Sequence, residues 1–429
     1  MIYLLYDTRY RLILGVRMMK SIAYRSLVNI LLCFLLALPV GFASSGVQDI
    51  TLTWAEDAKT SQTITWRTDS ENSMLCVEYS EADAPDIELS AAKTKQAETS
   101  LFATDEGNVY MHTVTLRNLK PGTRYVYRIG DGQNWVADGM FRTEKLTSDF
   151  KFLLFGDSQS YDYTVWKTTF MNAYQQNRDV DFFVNIGDLV DNGQKYQEWR
   201  NWFDGIASVS NRLPVVPVVG NHETYTPEHN FSMPVFFTQQ FMMPQNGPND
   251  LKGQVYSFDY GDVHFVILDS QFGEERKFLP DSLERQKTWL ANDLAATNKL
   301  WKVVFMHKPP YHNRIAQEQP DVTESFVPIF DQYGVDVVFS GHDHVNARTF
   351  AMVGGERVKE AGTIYSTVGR SGTKYYDTVG AKSWDEQFAN VTDMPTYSVV
   401  KVTKGLLYIQ VFKQNGELLD EWSLLKMHK

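Results

Sequence analysis

Two histidines one residue apart, His342 and His344, close the apolar stretch Val335-Asp336-Val337-Val338-Phe339-Ser340-Gly341, with Asp343 between them. Neutral imidazole is a common ligand for divalent metals and carries protons near neutral pH. A lone His-x-His is a weak signal, but other apolar runs in the chain end the same way. Gly156-Asp157-Ser158-Gln159, Gly187-Asp188-Leu189-Val190-Asp191, Gly220-Asn221-His222-Glu223 and His307-Lys308-Pro309-Pro310-Tyr311 each follow a run of aliphatic and aromatic residues. A single Gly-Asp or Gly-Asn-His is ordinary turn chemistry. Five such tips together make a donor set for two cations. A carboxylate can bridge two metals, and Asp188 is the candidate bridge. Asn carbonyl and imidazole fill further positions without adding charge. Two cations roughly 3.5–4 Å apart can clamp a phosphoryl oxygen and lower the pKa of a bound water. Oxygen and imidazole ligands suit two divalent ions such as Mn, Fe or Zn, and the donor types do not choose among these.

The tips need a scaffold that brings them to one place. Runs at 151–155, 181–186, 214–219, 263–268, 301–306 and 335–340 predict strands buried on both faces. Tyr196, Trp199, Trp202, Phe203 and Ile206 recur at helical spacing, as do Leu283, Trp289, Leu290 and Leu294 behind a possible cap at Asp281. After 396, "TYSVVKVT", "LLYIQVFKQ" and "ELLDEWSLL" suggest a closing antiparallel meander. In open α/β sheets, ligands bind outside the carboxyl ends of the strands, so the five tips are expected to converge. Residues 47–145 follow another pattern: short alternating strands parted by Asp, Gly, Pro and Ser turns, with Trp66 and Tyr125 as core aromatics. The expected architecture is an all-β sandwich at 47–145, resembling a fibronectin type III module, followed by an α/β catalytic domain at 149–424.

At 43% hydrophobic, 14% aromatic and 22% charged residues, the chain reads as globular. Its formal net charge of -11 leaves no excess of Lys and Arg to neutralise nucleic-acid phosphates. A small phosphate-bearing substrate is not excluded, because bound metal reverses local charge. Lys20 and Arg25 precede "LVNILLCFLLALPVGFASS", an apolar core ending in small residues. This order predicts an export signal over 1–43 with cleavage after Ala43, and Met18 or Met19 as alternative starts. The apolar stretch is shorter than the roughly 20 residues that span a bilayer, so the mature chain is expected outside the cytoplasm, periplasmic or extracellular, without stable membrane insertion. An uncleaved anchor is the alternative. Cys33 lies in that segment, which leaves Cys76 with no disulfide partner.

The series GDxx, GDxxD, GNHE, H and GHxH resembles the calcineurin-like metallophosphoesterase superfamily. Its purple acid phosphatase branch is the nearest likeness, because "LKPGTRYVYRIGDG", "QVYSFDYGDVHFVILD" and "YGVDVVFSGHDHVNAR" look like that branch's segments. The likeness runs from about residue 50 to 420. It implies an αββα core of two packed sheets, a dinuclear centre and hydrolysis of phosphate esters. By resemblance, Asp157 and His344 bind the first metal, Asp188 bridges, and Asn221, His307 and His342 bind the second. His222 is then no ligand but lies near the phosphate with Asn221 and protonates the leaving oxygen or stabilises the transition state, with Glu223 expected to orient it. Two places depart from the branch. Asp191 stands where the branch has the tyrosine that gives its purple colour with ferric iron. Gln159 stands where it has glycine, and its carbonyl oxygen is a possible ligand of the first metal.

His312 and Tyr311 follow the fifth tip and either face substrate or lie in an exposed loop; the same two readings hold for His229. His264, inside a strand, reads as structural, and His112 belongs to the first domain. The expected activity is that of an exported phosphomonoesterase acting on a small phosphate ester. A phosphodiesterase or nucleotide pyrophosphatase on the same site is the enzymatic alternative. A surface binding or adhesion protein with a degenerate catalytic domain is the alternative of another class.

Overall fold

The computed structural model describes residues 46–71, 74–82, 92–315, 320–359 and 361–426. The predicted export segment at 1–43 lies outside these residues. Eight strands between Gln48 and Arg142 form two four-stranded antiparallel sheets. One has the order Gln48–Thr53, Gln62–Thr68, Gly107–Leu116, Glu98–Thr104, and the other Lys93–Gln96, Cys76–Glu81, Arg124–Gly130, Trp135–Arg142. Between them pack Leu52, Ile64, Trp66, Val77, Val114, Tyr125 and Ile129, the inward positions of alternating strands. The sequence pattern does not predict Lys93–Gln96 or Glu98–Thr104, whose residues are nearly all exposed and carry no apolar alternation.

The larger part of the chain is a four-layer arrangement around two sheets. A six-stranded sheet runs Val215–Val218, Phe182–Ile186, Phe150–Phe155, Thr396–Thr403, Leu406–Lys413, Leu418–Leu425. Its first three strands are parallel, and the last three are the expected meander. A seven-stranded sheet runs Tyr256–Tyr260, Val263–Leu268, Trp301–Met306, Val337–Ser340, Ile364–Val368, Asn346–Thr349, Asp385–Ala389. Phe152 meets Phe265 and Phe305 across the two sheets, at ring separations of 5.8 and 6.3 Å. The helices Tyr163–Gln176 and Tyr196–Ile206 contribute Trp166, Phe170, Trp199 and Trp202 to the same cluster as the six-stranded sheet. Ser282–Ala296 and Pro320–Tyr333 cover the outer face of the other through Leu290, Leu294, Phe326 and Phe330. Asp281 stands at the expected cap position but makes no side-chain capping bond.

The sandwich is fastened to these layers. Trp54 meets Phe182 edge-on at 5.4 Å, and Phe102 meets Tyr196 at 5.6 Å, so both belong to the same core cluster as the six-stranded sheet. Thr53 donates to the Met242 carbonyl at 2.7 Å, and Asp105 accepts from the Tyr196 N–H at 2.8 Å, at the start of the Tyr196–Ile206 helix. No helix among the described residues is long and apolar enough to cross a membrane.

Candidate metal centre

Two of the strand tips turn sharply where their side chains point inward. Asp188, His342 and His344 have φ of 50°, 68° and 58°, left-handed backbone that β-carbon-bearing residues rarely adopt. Such strain persists where surrounding structure holds it and collects at functional sites. Gly341 sits so close to its neighbours that a β-carbon there would lie 2.6 Å from Asp157 Oδ2 and 2.9 Å from the Ile186 carbonyl. At Gly220 it would lie 2.2 Å from the Asp188 nitrogen. The glycines of the motifs are therefore needed for the tips to touch.

Two groups of buried donors result. Asp188, His307 and His342 form one, and Asp157, Asp188 and His344 the other; within each group the donor atoms lie within 4.8 Å of one another. Asp188 belongs to both, the position a bridge requires. Asn221 Oδ1 lies 3.2 Å from His307 Nε2 and 3.0 Å from His342 Nδ1. His307 Nδ1 faces the Ile186 carbonyl at 2.8 Å, and His344 Nδ1 faces the Lys374 carbonyl at 2.9 Å. Those bonds place the ring proton on Nδ1 and leave each Nε2 lone pair aimed inward, the usual way a ligating histidine is oriented. His307 Nε2 also stands 3.2 Å from Asp188 Oδ2, and His344 Nε2 stands 3.1 Å from Asp157 Oδ1. Acceptor atoms this close repel one another unless a cation or proton lies among them, so the donor set fits divalent metal.

With no cation among them, these groups set one another's protonation. Burial alone would raise the Asp188 carboxyl, yet the His307 and His222 imidazoles hold it well below the usual carboxylate range. Burial works against protonation of His307, but the Asp188 charge and hydrogen bond carry its pKa up to about 9. Burial pushes His342 well below the ordinary histidine value, with the Arg314 charge adding to the effect.

His222 stands beside the ligand groups, its Nε2 3.9 Å from Asp188 Oδ2, while its backbone N–H donates to Asp188 Oδ1 at 2.9 Å. Its Nδ1 lies 2.6 Å from the Asp191 carbonyl and 3.3 Å from Asp191 Oδ1. Asp191 therefore orients His222, and the expectation for Glu223 needs correction. Glu223, fully buried, accepts instead from the N–H groups of Gly220, Asp188 and Leu189 at 2.7, 2.8 and 2.9 Å. It pins the Asp188 tip rather than the histidine, because its side chain turns back under the strand ends.

Gln159 also differs from expectation. Its Nε2 lies 3.1 Å from Asp188 Oδ2 and 3.3 Å from His344 Nε2, whereas its carbonyl Oε1 accepts from Lys374 Nζ at 3.1 Å. The lysine draws the carbonyl away from the cluster. His312 lies outside both ligand groups: it is buried, its Nδ1 is 3.0 Å from the Arg314 carbonyl, and its ring packs 6.2 Å from Trp384. His264 and His112 are buried in hydrogen-bonded settings away from the donors. Sequence reasoning missed Lys374 and Tyr376, whose ring lies 4.4 Å from that of His344. Both come from a long loop without a motif.

Residues 150–346 match the family described as calcineurin-like phosphoesterase, and residues 47–143 match the purple acid phosphatase N-terminal domain. The chain thus carries a calcineurin-like phosphoesterase domain behind a purple acid phosphatase N-terminal domain. Among curated relatives, purple acid phosphatase 15 of Arabidopsis thaliana is 25% identical over 298 residues, 62% of this chain and 54% of the relative. Human acid phosphatase type 7 is 28% identical over 260 residues, 55% of this chain and 56% of the relative. Zebrafish acid phosphatase type 7 is 25% identical over 365 residues, 74% of this chain and 78% of the relative. The chain spans little more than half the length of the first two. In fold it is similar to the purple acid phosphatase from yellow lupin (Lupinus luteus) seeds, with TM-score 0.73 and 18% identity over 89% of this chain and 74% of that one. It is also similar to PhoD, with TM-score 0.60 and 14% identity over 88% and 93%.

Proposed function

We propose that the protein is an exported metal-dependent hydrolase of phosphate esters, with a phosphomonoester as substrate. The observation that carries this reading is the pair of buried three-residue donor groups sharing Asp188. Two divalent cations bound there would polarise a phosphoryl group and supply an activated water. In this assignment Asp157 and His344 would hold one cation, Asn221, His307 and His342 would hold the other, and Asp188 would serve both. Glu223 keeps the Asp188 tip in place through three short backbone bonds. His222, with 14% of its side chain exposed, presents Nε2 toward the same space while Asp191 fixes the far side of the ring. As imidazolium it protonates the departing oxygen, a contribution of about 10²–10⁴-fold in rate. The charged, apolar and small-residue order of residues 18–43 supports export.

The test is hydrolysis of p-nitrophenyl phosphate and bis(p-nitrophenyl) phosphate by purified protein, before and after chelation. The expected result is monoester turnover that chelation removes and divalent ions restore. Faster diester turnover moves the reading to a phosphodiesterase, and no turnover of either by metal-loaded protein overturns it. Terminal sequencing of exported protein should find a start near Ser44; residues 20–40 still present would mean an anchor.

A further inference from the structure

We propose that Lys374 is a phosphate-recognition residue that favours dianionic monoesters over diesters, an inference that rests on the phosphoesterase reading above. Its Nζ bonds Gln159 Oε1 at 3.1 Å and pairs with Asp191 Oδ1. Gln159 in turn touches Asp188 and His344, and Asp191 touches His222. The ammonium is therefore one residue removed from the donor group Asp157–Asp188–His344 and one residue removed from the candidate proton donor. Its side chain is only 17% exposed, so its charge is not fully screened by water.

The mount is rigid. The Lys374 carbonyl accepts from His344 Nδ1 at 2.9 Å, so the loop's place is set by a candidate ligand. Gly372 N–H donates to the Asp157 carbonyl at 2.9 Å, and the Tyr161 N–H donates to Thr373 Oγ1 at 3.0 Å. A β-carbon at Gly372 would lie 2.1 Å from the Gln159 carbonyl, so the two loops pack backbone to backbone. A lysine ammonium carries three N–H donors, and the bonds to Gln159 and Asp191 use two. The third can reach a phosphate oxygen held between the donor groups and His222. A monoester dianion offers one more unesterified, charged oxygen than a diester, and a charge-assisted bond to it is the stronger kind.

The variants are Lys374→Met and Lys374→Arg in the metal-loaded full chain. The readouts are metal content, inorganic phosphate affinity by titration calorimetry, and kcat and KM for a monoester and a diester. For Lys374→Met we expect unchanged metal content and a rise of roughly 10- to 100-fold in both the phosphate dissociation constant and the monoester KM. The diester KM should move far less, and Lys374→Arg should recover most of the phosphate affinity. Unchanged phosphate affinity in Lys374→Met, a fall in kcat alone, or loss of metal would each overturn the proposal. If metal-loaded wild type neither binds phosphate nor hydrolyses an ester, the phosphoesterase reading fails first. If wild type does both and Lys374→Met matches it, only the role of Lys374 fails.

Discussion

Replacing His264 with glutamine should remove a stabilisation that exists at neutral pH and vanishes in base. The imidazole is clamped between two carboxylates, Nδ1 to Asp259 Oδ1 and Nε2 to Asp293 Oδ2, both at 2.8 Å. Asp259 belongs to the edge strand Tyr256–Tyr260 and Asp293 to the helix Ser282–Ala296, so the clamp ties the edge of the seven-stranded sheet to its covering helix. Ser257 holds Asp293 Oδ1 at 2.8 Å, and Lys299 stands 3.6 Å from Asp259 Oδ2. Burial lowers the His264 pKa, but the hydrogen bonds and charges of the two carboxylates outweigh it and raise it from 6.5 to about 9. A folded-state value above the unfolded one means that the folded chain binds the proton more tightly. The stabilisation is complete below about pH 6.5 and is lost as pH rises through about 9. At about 1.4 kcal/mol per pKa unit, the full effect is on the order of 3 kcal/mol. Half-exposure of the Asp259 side chain screens part of it and brings the expectation to about 2 kcal/mol. Urea unfolding followed by tryptophan fluorescence at pH 6, 8 and 10 measures this. The gap between wild type and His264→Gln should be widest at pH 6 and close by about 2 kcal/mol at pH 10. Parallel stability curves over that range would refute the clamp.

Glu223→Ala should strand three buried N–H groups, each costing about 1–3 kcal/mol, and so lower stability by at least about 3 kcal/mol. Denaturant unfolding and metal content together check this, and a variant of native stability that keeps its metal would contradict it. His222→Ala should keep its metal but lose roughly 10²–10⁴-fold in kcat on a monoester; full activity would remove His222 from the chemistry. Metal-replete protein should show no strong visible absorption, since Tyr163 bonds Glu198 and the Asp191 N–H, and Tyr161 is 82% exposed. A strong band in the green that reduction bleaches would show a tyrosinate on ferric iron.

Much of the scaffold is legible because apolar runs and ligand types sit where the strands end. Phe150–Phe155, Phe182–Ile186, Trp301–Met306 and Val337–Ser340 need no tertiary information, since their residues are buried almost throughout. The helix Tyr196–Ile206 follows from its buried Tyr, Trp, Phe and Ile spacing. Partner choice is another matter. Asp191 rather than Glu223 holds His222, because which group faces a histidine depends on how turns fold over one another. Gln159 turns its amide because of a lysine 215 residues away in sequence. That lysine lies between Thr373 and Tyr375 in a segment with no periodicity, so nothing local marks it.

Metal analysis of purified, active protein beside Asp188→Asn tests the two-cation site bridged by Asp188. About two divalent ions per wild-type chain are expected. A folded Asp188→Asn variant should lose at least one ion, and monoester hydrolysis with it. Active wild-type protein with one ion or none per chain, or an Asp188→Asn variant with full metal and full activity, would contradict it.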